Sequence, residues 1–155
     1  MRVSASTRTF VALVCVLTAS ACALLRVAPE LPTAPADGSL PGDYSKLQGV
    51  RTVVYDEQKR KPRHERAGAL FIFEGNRFRL GTDKGHEWYT IDDASLPKRI
   101  DFYDGRSLLI RGIYTLEGDT LTLCTGDPGE PRPTAFETSR LSGAILTKLV
   151  KRDGA

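Results

Sequence analysis

Apolar and polar residues alternate along positions 112–124, Gly-Ile-Tyr-Thr-Leu-Glu-Gly-Asp-Thr-Leu-Thr-Leu-Cys, and the alternation breaks at Gly118-Asp119. Gly followed by Asp signals a two-residue primed turn between antiparallel strands. A turn there pairs Glu117 with Thr120, Leu116 with Leu121, Thr115 with Thr122, Tyr114 with Leu123 and Ile113 with Cys124. Directly opposed residues share one face of a sheet. Leu116, Leu121, Tyr114 and Leu123 therefore form an apolar face, and Glu117, Thr120, Thr115 and Thr122 a mostly polar one. A slip of one residue would set Leu against Thr and mix the two faces.

The same arithmetic predicts a second hairpin with Gly75-Asn76 in the turn. Glu74 then faces Arg77, Phe73 faces Phe78 and Phe71 faces Leu80. Further strands are expected at 47–55, where β-branched residues dominate, at 86–91, at 97–103 with Ile100 and Phe102 on one face, at 107–111 running on into the first hairpin, and at 144–151. Residues 126–136 carry three prolines, which exclude a helix or a central strand, so this is a long loop with Phe136 turned toward the core. About eight short strands, most joined by tight turns, and no convincing helix make an all-β chain, a small antiparallel sandwich or barrel. A meander of neighbouring hairpins favours an up-and-down barrel, because closure removes exposed edges. About 105 residues make a barrel that is either filled by side chains or open to one small ligand.

The N-terminus changes the setting of this domain. Arg2 and Arg8, the apolar run 10–17 and the small residues Ala19-Ser20-Ala21 read as an export signal over residues 1–21. The next residue, Cys22, makes the junction similar to a bacterial lipobox, with Ala19 where that motif usually has Leu. Three fates fit: lipidation at Cys22, cleavage to a soluble exported protein, or an uncleaved anchor, the last disfavoured because a spanning helix needs about 20 apolar residues. Lipidation is the leading expectation, giving a membrane-anchored lipoprotein facing the periplasm or cell surface. Residues 22–46, rich in Pro, Ala, Gly and Asp, read as a disordered tether, and 47–152 as the barrel domain.

Charge and cysteine content narrow the function classes. The formal net charge is +3, and Arg2 and Arg8 belong to the signal, so the mature chain is near neutral and its global charge selects neither nucleic acid nor an acidic substrate. The basic run 59–66 has no interleaved aromatics and reads as a solvated loop rather than a nucleic-acid site. Of Cys15, Cys22 and Cys124, only Cys124 lies in the domain, so no intradomain disulfide forms, and without a His-Asp context it reads as inert packing. Asp83 and His86 have only a very weak metal spacing, His64 lies in the basic loop, and Asp92-Asp93 sit in a turn where Asp serves the backbone. No phosphate cradle, nucleophile elbow or metal-spaced cysteine pair occurs, so no catalytic residue, metal or cofactor is assigned and an enzyme is the minority expectation.

Leu47-Gln48-Gly49, Gly112-Ile113-Tyr114, Gly118-Asp119-Thr120-Leu121, Leu123-Cys124, Arg132-Pro133-Thr134 with Phe136, and Lys151-Arg152 together resemble an uncharacterised lipocalin-like domain found in exported bacterial proteins and expanded in planctomycetes. The resemblance spans 47–152 and implies a lipocalin-like β-barrel in an extracytoplasmic setting. It brings no activity, ligand or catalytic residue. One departure stands out: that family usually has an aromatic residue, often Trp, where this chain has Arg51. Arg51 shares a face with Leu47 and Val53, and a charge aimed at a core needs a partner. The indole of Trp88 is one candidate.

The expected role is a binding or interaction module in the cell envelope, with a membrane, a small hydrophobic ligand or an envelope protein as partners and no nucleic acid. In its carrier form the barrel takes a small apolar or anionic amphiphilic ligand. The face that would line its cavity is Phe71, Phe73, Phe78, Leu80, Ile100, Phe102, Tyr114, Leu116, Leu121 and Leu123, with the basic loop at the rim and the Tyr114 hydroxyl available to a ligand. The competing expectation is that these bulky residues fill the interior completely.

Overall fold

The computed structural model describes residues 40–81 and 87–152. The expected signal, Cys15 and Cys22, the tether up to residue 39, and Asp83 with His86 lie outside the described residues. Among the described residues no helix is long and apolar enough to cross a membrane.

A short helix, α1 (Asp43–Leu47), leads into β1 (Gly49–Gln58). The chain continues through β2 (Lys61–Pro62), a 3-10 turn at His64–Arg66, β3 (Leu70–Glu74), β4 (Arg77–Leu80), β5 (Glu87–Asp92), β6 (Lys98–Asp104), β7 (Ser107–Glu117), β8 (Thr120–Thr125) and β9 (Ile145–Lys151). Each of β3 to β9 pairs antiparallel with its sequence neighbour, and β1 pairs with both β3 and β9. The result is a closed eight-stranded barrel, with β2 as an extra strand on β1. Closure leaves β1 and β9 without a free edge.

Both hairpins have the register that their sequence pattern predicts. Glu117, Leu116, Thr115, Tyr114 and Ile113 pair with Thr120, Leu121, Thr122, Leu123 and Cys124. Glu74, Phe73 and Phe71 pair with Arg77, Phe78 and Leu80. Gly118 and Gly75 hold φ of 57° and 63°, the positive value that the first central residue of this turn requires and that a side chain resists. Leu121, Leu149, Ile100 and Tyr89 are fully buried inside the barrel, each aliphatic or aromatic side chain stabilising it by about 1.5–3 kcal/mol. Phe73 meets Tyr89 edge to face at 5.2 Å, and Phe78 meets Phe102 at 4.9 Å.

Four features differ from the sequence pattern. Residues 43–47 are helical where a tether and then a strand were expected, because Tyr44 and Leu47, three apart, both bury against the barrel. Leu40 packs there too, so the domain reaches back at least to residue 40. The basic run is not simply a solvated loop: β1 continues to Gln58, and Lys59 and Arg60 turn the chain with φ of 54° and 60° into β2 and the 3-10 turn. Phe136 does not enter the barrel but packs on a second, outer cluster with Ile113, Cys124 and Ala144. Finally, a bulge between Val53 and Tyr55 shifts the register of β1 on β9. It leaves Val54 exposed and turns Asp56 inward in place of Tyr55.

The outer cluster explains residues 126–144. Arg132 lies across β6 and β7, donating to the carbonyls of Gly112 at 2.6 Å and Ile100 at 3.3 Å and to Asp101 at 2.9 Å. This pins the proline-rich segment over the outer face of β7 and β8, where Ile113 and Cys124 would otherwise meet water.

Candidate functional site: the open end of the barrel

The strands give the barrel two unlike ends. At one end lie the start of β1, the β3–β4 turn, the β5–β6 loop, the β7–β8 turn and the end of β9. Helix α1 plugs this end, and hydrogen bonds from it and from Gln48 just after it reach the surrounding loops. Asp43 N donates to Asp93 in the β5–β6 loop at 3.1 Å, and the Tyr44 hydroxyl accepts from Ile91 N at 3.1 Å. The Gln48 side chain bonds both backbone groups of Gly75 in the β3–β4 turn.

Arg51 completes the plug. It is 1% exposed, and its guanidinium donates to the carbonyls of Lys46 at 2.8 Å, Asp119 at 2.9 Å and Leu47 at 3.3 Å. Two of these are the last carbonyls of α1, which have no partner within the helix and carry its negative dipole end. The partner of Arg51 is therefore main chain, not Trp88. That indole lies instead against Arg77, whose guanidinium is 4.7 Å from the ring centre.

The buried acid of α1 is also satisfied. Asp43, 2% exposed, accepts from Lys46 at 2.8 Å, Lys98 at 2.5 Å and the Tyr114 hydroxyl at 3.1 Å. Burial alone would raise its pKa, but these hydrogen bonds outweigh burial and hold it below the ordinary carboxylate value. Burial, followed by the Asp43 charge, pushes the Tyr114 pKa far up, so the hydroxyl remains a donor. Tyr114 therefore belongs to the closed end, and its hydroxyl is committed to Asp43 rather than open to a ligand.

The opposite end is hollow. A partly open cavity of about 310 Å³ lies inside the barrel, lined by Asp56, Arg63, Arg66, Phe71, Phe78, Leu80, Glu87, Phe102, Leu109, Ile110, Leu123, Thr125, Ile145 and Thr147. The size is at the small end of the range for ligand pockets, roughly 300–1,000 Å³. Of the ten residues expected to line a cavity, Phe71, Phe78, Leu80, Phe102 and Leu123 do so. Phe73, Ile100, Tyr114, Leu116 and Leu121 do not, because they point into the half filled beneath α1. The interior is thus filled at one end and open at the other.

The basic run contributes Arg63 and Arg66 to the cavity wall. Arg63 bonds Asp56, which also accepts from the Thr147 hydroxyl at 2.9 Å. The β1 bulge is what brings Asp56 into this position. The sequence pattern missed Asp56, Glu87, Leu109, Ile110, Thr125, Ile145 and Thr147. The inward parity of Thr125 follows from the hairpin register, but that of Asp56 is hidden by the bulge.

The remaining candidates stand elsewhere. A cavity of about 360 Å³ beneath 126–144, on the outside of the barrel, is lined by Glu130, Glu137, Ser139 and Leu141 among others, with no aromatic or cationic side chain. Cys124 is buried with its Sγ 3.7 Å from the Glu137 carbonyl, and burial pushes the thiol pKa up, away from the reactive thiolate. Asp92 caps the backbone N–H groups of Ala94 and Ser95, both at 3.2 Å. His64 is exposed in the 3-10 turn, and among the described residues no three His, Cys, Asp or Glu side chains gather as a metal site. Comparison with known protein families, with curated proteins and with solved structures finds no match.

Proposed function

We propose that this protein is a binding module that holds one small, largely apolar molecule in the open end of its barrel. The observation that carries this reading is the division of the interior. A barrel needs packed side chains to be stable, and here α1, Arg51 and the Phe73–Tyr89 layer supply them in one half only. The other half leaves about 310 Å³ walled by three phenylalanines and five aliphatic side chains. Apolar side chains make up the larger part of the wall, as in small-molecule sites, and the polar ones are Asp56, Arg63, Arg66, Glu87, Thr125 and Thr147. The setting we attach to this reading is the exported one, with Cys22 as lipid anchor and residues 23–39 as spacer. The similarity to the lipocalin-like family accords with it.

Calorimetric titration with decanoate or decanol tests the reading. The expected result is one site per chain, lost in a Thr125→Phe variant whose added ring occupies the cavity while its unfolding temperature is unchanged. Absence of binding of either probe, or equal binding by the variant, rules the reading out.

A further inference from the structure

The wall of the open-end cavity carries four charged groups, and they are not equivalent. Asp56 and Arg63 are matched to one another in an ion pair, with Thr147 taking the second carboxylate oxygen. Glu87 is not free. Arg66 remains. Its Nε is buried without a hydrogen-bond partner, and among the described residues it makes no ion pair. A buried donor on a guanidinium without an acceptor is costly, and an anion supplies what it lacks.

Arg66 is also placed by the fold rather than by chance. The 3-10 turn His64–Arg66 is closed by the Arg66 and Ala67 N–H groups bonding the Arg63 and His64 carbonyls, both at 3.1 Å. Arg63 is anchored to β1 twice, through its N–H on the Asp56 carbonyl at 2.8 Å and through its side chain. Gly68 N donates to the Val53 carbonyl at 2.9 Å on the far side. The guanidinium therefore lines the cavity from a turn fastened at both ends to β1.

We infer that Arg66 is the recognition group for an anionic head, and that the occupant is an anionic amphiphile with a short apolar body. The sign of the charge follows from the unpartnered donor: Asp56 and Arg63 already answer one another, and Arg66 is the cation of this wall without an acceptor. The length follows from volume. At about 310 Å³ the cavity stands at the small end of the roughly 300–1,000 Å³ range of ligand pockets, which suits a short body. The apolar body rests on Phe71, Phe78, Phe102 and Leu123, and the head meets Arg66 at the rim. This inference rests on the binding reading above and adds to it the charge, the length and the residue that recognises them.

The test compares decanoate, decanol and hexadecanoate on the full chain and on Arg66→Gln and Arg66→Lys variants. The wild-type chain should bind decanoate about tenfold or more tighter than decanol. Arg66→Gln should lose that preference while keeping its decanol affinity, and Arg66→Lys should retain part of it. Hexadecanoate should bind more weakly than decanoate. Equal affinity for decanoate and decanol, or a preference that survives in Arg66→Gln, overturns the anion site while leaving the binding reading intact. So does loss of both probes in Arg66→Gln, which would make Arg66 a structural residue. Tight binding of hexadecanoate overturns the length assignment. If neither short probe binds the wild-type chain, both the inference and the binding reading fail.

Discussion

Replacing Arg51 with methionine probes how the barrel is closed. The guanidinium is 1% exposed and holds three main-chain carbonyls, of which Asp119 O also accepts from Lys151 N at 3.0 Å. Truncation therefore leaves the Lys46 and Leu47 carbonyls of α1 without this donor. A hydrogen bond from a charged donor contributes about 1.5–3 kcal/mol, and the 3.3 Å contact to Leu47 stands at the weak end. Removing the cation also relieves its own burial, which offsets part of the loss. The net expectation for Arg51→Met is a destabilisation of about 2–4 kcal/mol, which lowers Tm by roughly 8–20 °C for a domain of this size. Arg51→Lys should recover less than half, because one ammonium cannot span carbonyls from α1 and the β7–β8 turn as the planar fork does. Equilibrium urea unfolding followed by far-UV circular dichroism measures both. A methionine variant within about 0.5 kcal/mol of wild type would refute the role assigned to Arg51.

Other expectations follow from the same geometry. The pKa of Asp43 is held below its ordinary value of 3.8, so its stabilising contribution is complete above that pH and is lost as pH falls below it. An acid titration of Tm should therefore be flatter below pH 3.8 for Asp43→Asn than for wild type, and parallel curves would contradict the pairing with Lys46, Lys98 and Tyr114. Gly118 stands at φ 57° with open space around it, so Gly118→Ala should cost about 1–2 kcal/mol through backbone strain alone, and an unchanged urea midpoint would argue against the turn geometry. On the proposed lipid-anchored setting, Cys22→Ala should move the protein from the membrane to the soluble fraction, and unchanged fractionation counts against Cys22 as the anchor.

The two hairpins were legible because each turn placed apolar side chains against apolar ones across the whole pair, a constraint that a wrong register cannot meet. Barrel closure was legible as a count of short strands and tight turns. What escaped has a physical reason in each case. Helix α1 spans five residues, too few for a 3.6-residue period to show, and its two buried apolar side chains sit in a Pro- and Gly-rich stretch. The partner of Arg51 is main-chain carbonyl, which every residue carries and no side-chain pattern reveals. Asp56 faces inward only because one residue is bulged out of β1, which reverses the alternation beyond Val54. The candidate cavity was half legible. Inward parity identified which strands' side chains face the interior, but not which of them fall under the plug and which line the opening. The basic run shows the same limit: Arg63 and Arg66 are indistinguishable from solvated charges until the 3-10 turn carries them to the wall.

The binding reading is tested most directly by comparing native and denatured masses of the full chain purified under mild conditions from its own host. The comparison cancels any covalently attached lipid and leaves only what is held without a bond. The expected result is a native mass higher by one small anionic molecule per chain, with the same increment regained when the emptied protein is given decanoate. A native mass equal to the denatured mass, unchanged on adding decanoate, would contradict the assignment of the open end as a ligand site.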